Sequence, residues 1–124
     1  MLKEYNTFIS ELGHDLCKAE RHLRTYTPNN AEQEYKHNNY NTLLEIVNYS
    51  KRTNNLIDIF NYLSECYLNS LNNKSIGICE TYHNTLERLI YTDKVKRYLY
   101  DKDTYLLEGT YGKTLRKLNF YYPY

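Results

Sequence analysis

Apolar side chains recur at intervals of three and four residues over most of the first hundred positions, and this spacing is typical of one face of an α-helix. The clearest series is in the first segment and comprises Leu2, Tyr5, Ile9, Leu12, Leu16, Ala19, Leu23 and Tyr26. The pattern continues through Gly13 and ends at Thr27-Pro28, because proline disfavours helical backbone in the residue before it. The sequence therefore predicts a first helix over residues 2–26.

The same spacing predicts three further helices, over residues 31–49, 56–71 and 75–91. The second helix has a polar first half, so its start lies anywhere from Ala31 to Asn39. Ser75 is the expected N-cap of the fourth helix, since serine side chains satisfy free backbone N–H groups at helix starts. The segment that follows Thr92-Asp93 and ends at residue 100 fits either a short fifth helix or a strand.

Each predicted helix has one apolar face that we expect to form the core. After the first helix, these core positions are Tyr40, Leu43, Leu44, Ile46 and Val47; then Leu56, Ile59, Phe60, Leu63, Cys66, Tyr67 and Leu71; then Cys79, Tyr82, Leu86, Leu89 and Ile90; and last Val95, Tyr98 and Leu99. Short loops between such helices favour antiparallel neighbours.

These elements predict an all-α fold, a compact bundle of four to five helices. At 124 residues the chain has room for one hydrophobic core and is too short for two. We expect a single domain, with a helical core over residues 1–100 and an irregular, basic, Tyr-rich C-terminal segment over residues 101–124 that packs on it.

The composition is dominated by tyrosine, with 16 Tyr against 3 Phe and no Trp. Asn and Lys are common while Ala is scarce, a bias that an A+T-rich genome explains. Such a genome raises Phe together with Tyr, so the excess of Tyr over Phe needs another reason. Tyrosine pairs an apolar ring with a polar hydroxyl and is enriched at protein interfaces and base-stacking surfaces.

The charge is nearly balanced overall, at +1, which disfavours both a strongly basic nucleic-acid coat and an acidic DNA mimic. The balance is uneven along the chain, however. Residues 1–84 carry eight basic and ten acidic side chains, whereas residues 85–124 carry eight and five. The sequence therefore predicts a modestly basic C-terminal surface.

Catalytic and metal-binding patterns are weak. A Glu-x-x-His spacing occurs three times, ending at His14, His37 and His83, and di-iron bundles use this spacing on inward faces. Here His14 and His37 lie off the apolar faces and His83 lies at an edge, so solvated helix-face pairs are the expectation. The three cysteines form no CxxC pair, and four glycines form no phosphate-binding loop. We expect no enzyme activity, no cofactor and no metal.

No segment approaches the length of a membrane span, and Glu4 and Asn6 precede any apolar run that would resemble a secretory leader. The sequence therefore predicts a soluble, cytoplasmic protein without membrane contact.

Basic and aromatic residues alternate towards the C-terminus. The candidate partner-binding residues are Lys96, Arg97, Tyr98, Tyr100, Tyr111, Arg116, Lys117, Tyr121, Tyr122 and Tyr124. They suit a protein interface, where Tyr and Arg dominate the binding energy, or unpaired nucleic acid, or packing of the tail on the bundle.

We expect a small, non-enzymatic binding protein encoded by a phage, virus or mobile element, which inhibits or modulates a host protein, such as a defence protein, by occupying its surface. A nucleic-acid-binding module that uses the C-terminal basic surface is the first alternative. A self-associating subunit is the second, with a homodimer formed through Leu44, Ile57 and Leu68.

Overall fold

A computed structural model describes residues 2–73 and 77–101 of the chain. It contains five α-helices: Leu2–Leu23 (α1), Asn30–Thr53 (α2), Leu56–Asn73 (α3), Ile78–Ile90 (α4) and Asp93–Asp101 (α5). Strands are absent from these two ranges, so the predicted all-α bundle is confirmed and the segment before residue 100 is a helix. No helix within the same ranges has both the length and the apolar character needed to cross a bilayer.

The helices α1 to α4 form an up-and-down bundle. The Tyr5 hydroxyl donates to the Ser50 carbonyl at 2.8 Å, which places the start of α1 beside the end of α2. Helix α3 packs on α2, α4 and α5, whereas α1 packs mainly on α2. Helix α5 lies across α3 and α4. Helices α2, α3 and α4 therefore each pack on three other helices and form the centre of the bundle.

The core is filled by aliphatic side chains and two phenylalanines, and α3 supplies the largest share. The buried hydrophobic residues are Phe8, Leu12, Ala19, Leu43, Ile46, Val47, Leu56, Ile59, Phe60, Leu63, Tyr67, Tyr82, Leu86, Leu89, Ile90, Val95 and Leu99. The predicted faces of α3 and α4 are confirmed, because every position in them is buried or packs against this core.

Two predicted core positions are wrong, and the prediction missed one buried position. Phe8, which the predicted stripe of α1 omits, is buried. Tyr26 is 81% exposed, because α1 ends at Leu23 and the chain turns before Pro28. Leu44 is exposed at the edge of α2, next to the buried Leu43.

Asparagines cap α2 and α3 and set their bounds. The Asn29 side chain accepts hydrogen bonds from two N–H groups in the first turn of α2, and Asn55 does the same for α3. Asn54 adopts the left-handed conformation (φ 56°) and its N–H returns to the Ser50 carbonyl. Helix α2 is consequently longer than predicted, and the turn predicted over residues 51–55 contracts to Asn54 and Asn55.

Helix α4 begins later than the sequence predicts. Its N-cap is Gly77, at φ 87°, which gives the first turn no side-chain cap. The predicted cap, Ser75, lies outside the described residues. A Cβ on Gly77 would lie 3.0 Å from the Tyr35 carbonyl oxygen and 3.2 Å from the Tyr35 ring. Glycine is therefore required there by both the backbone conformation and the close approach of α2.

We predict opposite effects for two glycine-to-alanine substitutions. Gly77→Ala should lower the free energy of unfolding by at least about 1–2 kcal/mol, because an L-residue is strained at positive φ and its Cβ meets Tyr35. Gly13→Ala should raise it by up to about 1 kcal/mol, because Gly13 lies within α1 with no atom within 4 Å of an added Cβ. Urea unfolding of both variants measures the two changes. Equal effects of the same sign would contradict the assigned backbone.

Candidate partner-binding surfaces

The tyrosines lie mostly at the surface, whereas the described phenylalanines are in the core. Phe8 and Phe60 are buried, and among the tyrosines whose side chains the structure describes only Tyr67 and Tyr82 are. The tyrosines that remain exposed or half-exposed are Tyr5, Tyr26, Tyr35, Tyr40, Tyr49, Tyr62, Tyr91 and Tyr98. This separation follows the chemistry of the hydroxyl, which needs water or a hydrogen-bond partner.

The predicted basic and aromatic residues of α5 divide between two sides of the helix. Lys96 and Arg97 are exposed. Tyr98 is half-buried and its hydroxyl hydrogen-bonds with the Asn61 side chain of α3. The aromatic ring beside Lys96 is that of Tyr91, whose centroid lies 5.6 Å from the Lys96 Nζ. The structure thus brings Lys96 together with Tyr91 and directs Tyr98 towards α3.

The other candidates are not described at the side-chain level. Tyr100 lies within α5, but its side chain is outside the described set. Tyr111, Arg116, Lys117, Tyr121, Tyr122 and Tyr124, together with almost all of the segment predicted over residues 101–124, lie outside the described residues.

An aromatic stack that the sequence analysis missed lies between α2 and α3. The rings of Tyr49 and Tyr62 are stacked, with centroids 3.8 Å apart and planes 10° apart. The Arg52 guanidinium lies over the Tyr49 ring, 5.9 Å from its centroid. We call these three side chains the α2–α3 stack. A signal was present in the sequence, since Tyr62 is on the polar face of α3 between Asp58 and Glu65.

Hydrogen bonding with the Cys66 side chain, together with burial, raises the pKa of Tyr62. Burial raises the pKa of Cys66 despite its hydrogen bonds with Tyr62 and Tyr82. The thiol is therefore protonated at neutral pH and is a poor nucleophile. The negative charge of Glu45 makes a smaller contribution in the same direction to the pKa values of Tyr62, Cys66 and Tyr82.

A polar groove of about 410 Å³ lies between α1 and α4, above the first half of α2. In its wall, Arg88 donates to the Asp15 carboxylate at 2.7 Å and also lies 3.9 Å from Glu11. At its base, Thr81 donates to the Asn39 side chain at 2.7 Å. The Arg88–Asp15 pair therefore connects α4 to α1, and the Thr81–Asn39 hydrogen bond connects α4 to α2.

Glu4 fixes the start of α5. Its two carboxylate oxygens accept from the N–H groups of Asp93 and Lys94, at 2.7 and 3.3 Å. A carboxylate at a helix N-terminus also interacts favourably with the helix dipole. The contact connects the first turn of α1 to α5, which carries Lys96 and Arg97.

His83 departs from its predicted position. It is fully buried, and its Nε2 lies 3.1 Å from the carboxylate of Glu87 rather than that of Glu80. Glu80 is exposed and accepts from the Tyr35 hydroxyl at 3.1 Å. The prediction of a solvated Glu80–His83 pair is therefore wrong, although His14 and His37 are exposed as predicted. Within residues 2–73 and 77–101, no three potential metal ligands are grouped.

Burial lowers the pKa of His83, even though the charges of Glu87 and Glu80 act in the opposite direction. The ring of Tyr67 on α3 lies against the imidazole, with centroids 5.9 Å apart. His83 is therefore neutral at physiological pH and acts as a packing residue between α3 and α4.

No protein-family model matches the chain, and neither the curated proteins nor the solved structures contain a match.

We predict that acid destabilises the protein through His83. The unfolded state, with a histidine pKa near about 6.5, binds the proton before the folded state does. The free energy of unfolding should therefore fall as the pH drops below about 6.5, by at most about 1.4 kcal/mol per pH unit for one proton, and level off above it. Urea unfolding between about pH 7.5 and about pH 5.5 measures this slope.

His83→Gln should flatten the slope that His83 causes. His14→Gln is the matched control, because His14 is exposed on α1, and it should keep the wild-type slope. An unchanged slope in His83→Gln would contradict the assignment.

Proposed function

We propose that the protein is a small, non-enzymatic binding protein that acts by occupying the surface of another protein. The observation that supports this most is the placement of its tyrosines. The core is filled without them, apart from Tyr67 and Tyr82, and the exposed rings include Tyr26, Tyr62 and Tyr91. Tyrosine rings at the surface give a partner large contact areas at low entropic cost.

The proposed partner is a protein of the host cell, such as a defence protein, which the chain would inhibit or modulate in the host cytoplasm. This part of the proposal rests on the A+T-rich bias in composition and on the small size of the chain, which are common among inhibitors that phages, viruses and mobile elements encode. The mechanism would be steric, because a covered surface cannot engage its usual ligand.

Nucleic acid is the second candidate ligand, and α5 favours it. Lys96 and Arg97 are exposed, and Lys96 lies over the exposed Tyr91 ring. A cation beside an aromatic face can bind a phosphate while the ring stacks on an unpaired base. Self-association has less support, because Ile57 packs against the core while Leu44 alone of the three proposed contact residues is exposed.

We predict that the tagged protein retains one host protein from a lysate of an A+T-rich host after nuclease treatment. Binding of that purified protein should change little between about 50 and about 200 mM salt. A nucleic-acid ligand would instead lose several powers of ten in affinity over this range.

Variants separate the two ligands further. For a protein partner, Tyr91→Ala should weaken binding more than Lys96→Ala, because aromatic anchors supply most of the interface energy. For a nucleic acid, Lys96→Ala and Arg97→Ala should matter most and reduce the salt dependence. Recovery that vanishes with nuclease would contradict the proposed function, and recovery of the bait alone from several hosts would leave it without support.

A further inference from the structure

The α2–α3 stack leaves part of Tyr62 open to solvent. Tyr62 covers one face of the Tyr49 ring, with centroids 3.8 Å apart, and the Arg52 guanidinium lies 5.9 Å from the centroid of the same ring. Tyr49 likewise covers one face of Tyr62, yet Tyr62 is still 37% exposed. The solvent-exposed part of Tyr62 is therefore the part that Tyr49 does not cover.

An open aromatic face at the end of a stack accepts another planar group. The candidates are a nucleobase, an aromatic side chain or a second guanidinium, since all of them stack on tyrosine. Within the protein, the guanidinium of Arg52 already lies over the Tyr49 ring. The charged side chains near Tyr62 favour one of these three groups as the ligand.

Three carboxylates are neighbours of the stack on the surfaces of α2 and α3. Asp58 and Glu65 are exposed and lie four residues before and three residues after Tyr62 on α3, so they are its neighbours on the helix surface. Glu45 is exposed on α2, one turn before Tyr49. Three negative charges repel the phosphate that accompanies a nucleobase, and they attract a guanidinium, which pairs with carboxylates while it stacks.

We propose that the open face of Tyr62 is a docking site for an arginine side chain of the partner protein, with the guanidinium stacked on the ring and paired with Glu45 or Glu65. This inference rests on the proposed function and specifies the chemistry of the partner. It also separates two surfaces of opposite character, the basic exposed side of α5 and the acidic aromatic surface around Tyr62.

The test is an NMR titration of the full chain with N-acetyl-arginine amide, observed at the tyrosine ring signals. We expect saturable shifts that are largest for Tyr62 and Tyr49. N-acetyl-lysine amide should bind roughly two- to five-fold more weakly, since ammonium lacks the planar stacking face. Thymidine monophosphate should leave these rings unshifted.

Two variants test the assigned groups. Tyr62→Ser should abolish the saturable shift at Tyr49, whereas Tyr26→Ser, which changes a more exposed tyrosine, should not. Glu45→Gln keeps the ring and should weaken arginine binding roughly two- to five-fold. Circular dichroism shows whether each variant is folded.

Arginine shifts that Tyr62→Ser leaves unchanged, or tighter binding of thymidine monophosphate at Tyr62, would overturn the proposal. Failure of the proposed function would give a different result in the binding experiment. If the wild type retains a host protein and Tyr62→Ser and Glu45→Gln retain it equally well, the arginine site is wrong while the binding function stands. If the wild type retains none, the binding function fails and the titration alone decides the site.

Discussion

Burial of the apolar face of α3 is the interaction on which the rest of the structure depends. Leu56, Ile59, Phe60, Leu63 and Tyr67 are all at most 3% exposed, and the helix that carries them packs on α2, α4 and α5. Removing one such side chain costs about 2–5 kcal/mol, a large part of the about 5–15 kcal/mol that stabilises a typical domain. Aliphatic side chains, two phenylalanines and two tyrosines, Tyr67 and Tyr82, fill this space, and most of the other described tyrosines lie at the edges of the helices.

Polar contacts complete the assembly around that core. Arg88 attaches α1 to α4 through Asp15, and Glu4 holds the start of α5. These pairs are partly exposed, so each contributes less than a buried apolar contact. The buried core thus fixes the positions of the helices, and the side chains on their outer faces form the candidate partner-binding surfaces.

The sequence was sufficient to predict those elements whose apolar period is regular. The stripe of α3 is complete in the sequence, and its buried positions are as predicted. The first half of α2 was harder, because its polar residues gain partners only in the fold: Tyr35 donates to Glu80, and Asn39 accepts from Thr81. Helical period alone carries no information about such contacts between helices.

The candidate partner-binding surfaces also depend on contacts between helices that the helical period does not predict. Spacing places Tyr62 on the polar face of α3, but the register of α2 against α3, which stacks it on Tyr49, is a property of the packed bundle. His83 was predicted at the edge of a face and is buried, because Tyr67 and Glu87 enclose it. Tyr98 was predicted both as a core position and as a candidate binding residue; in the fold it packs against the core and hydrogen-bonds with Asn61, whereas Lys96 lies over Tyr91.

The central claim is that the exposed tyrosines serve a partner and not the fold. Alanine substitution at Tyr26, Tyr62 and Tyr91, with stability and partner binding measured on the same samples, tests it most directly. We expect each variant to change the free energy of unfolding by less than about 1 kcal/mol, and at least one to reduce the affinity by about tenfold or more. Losses of more than about 2 kcal/mol in stability with unchanged affinity would contradict it and assign the tyrosines to packing.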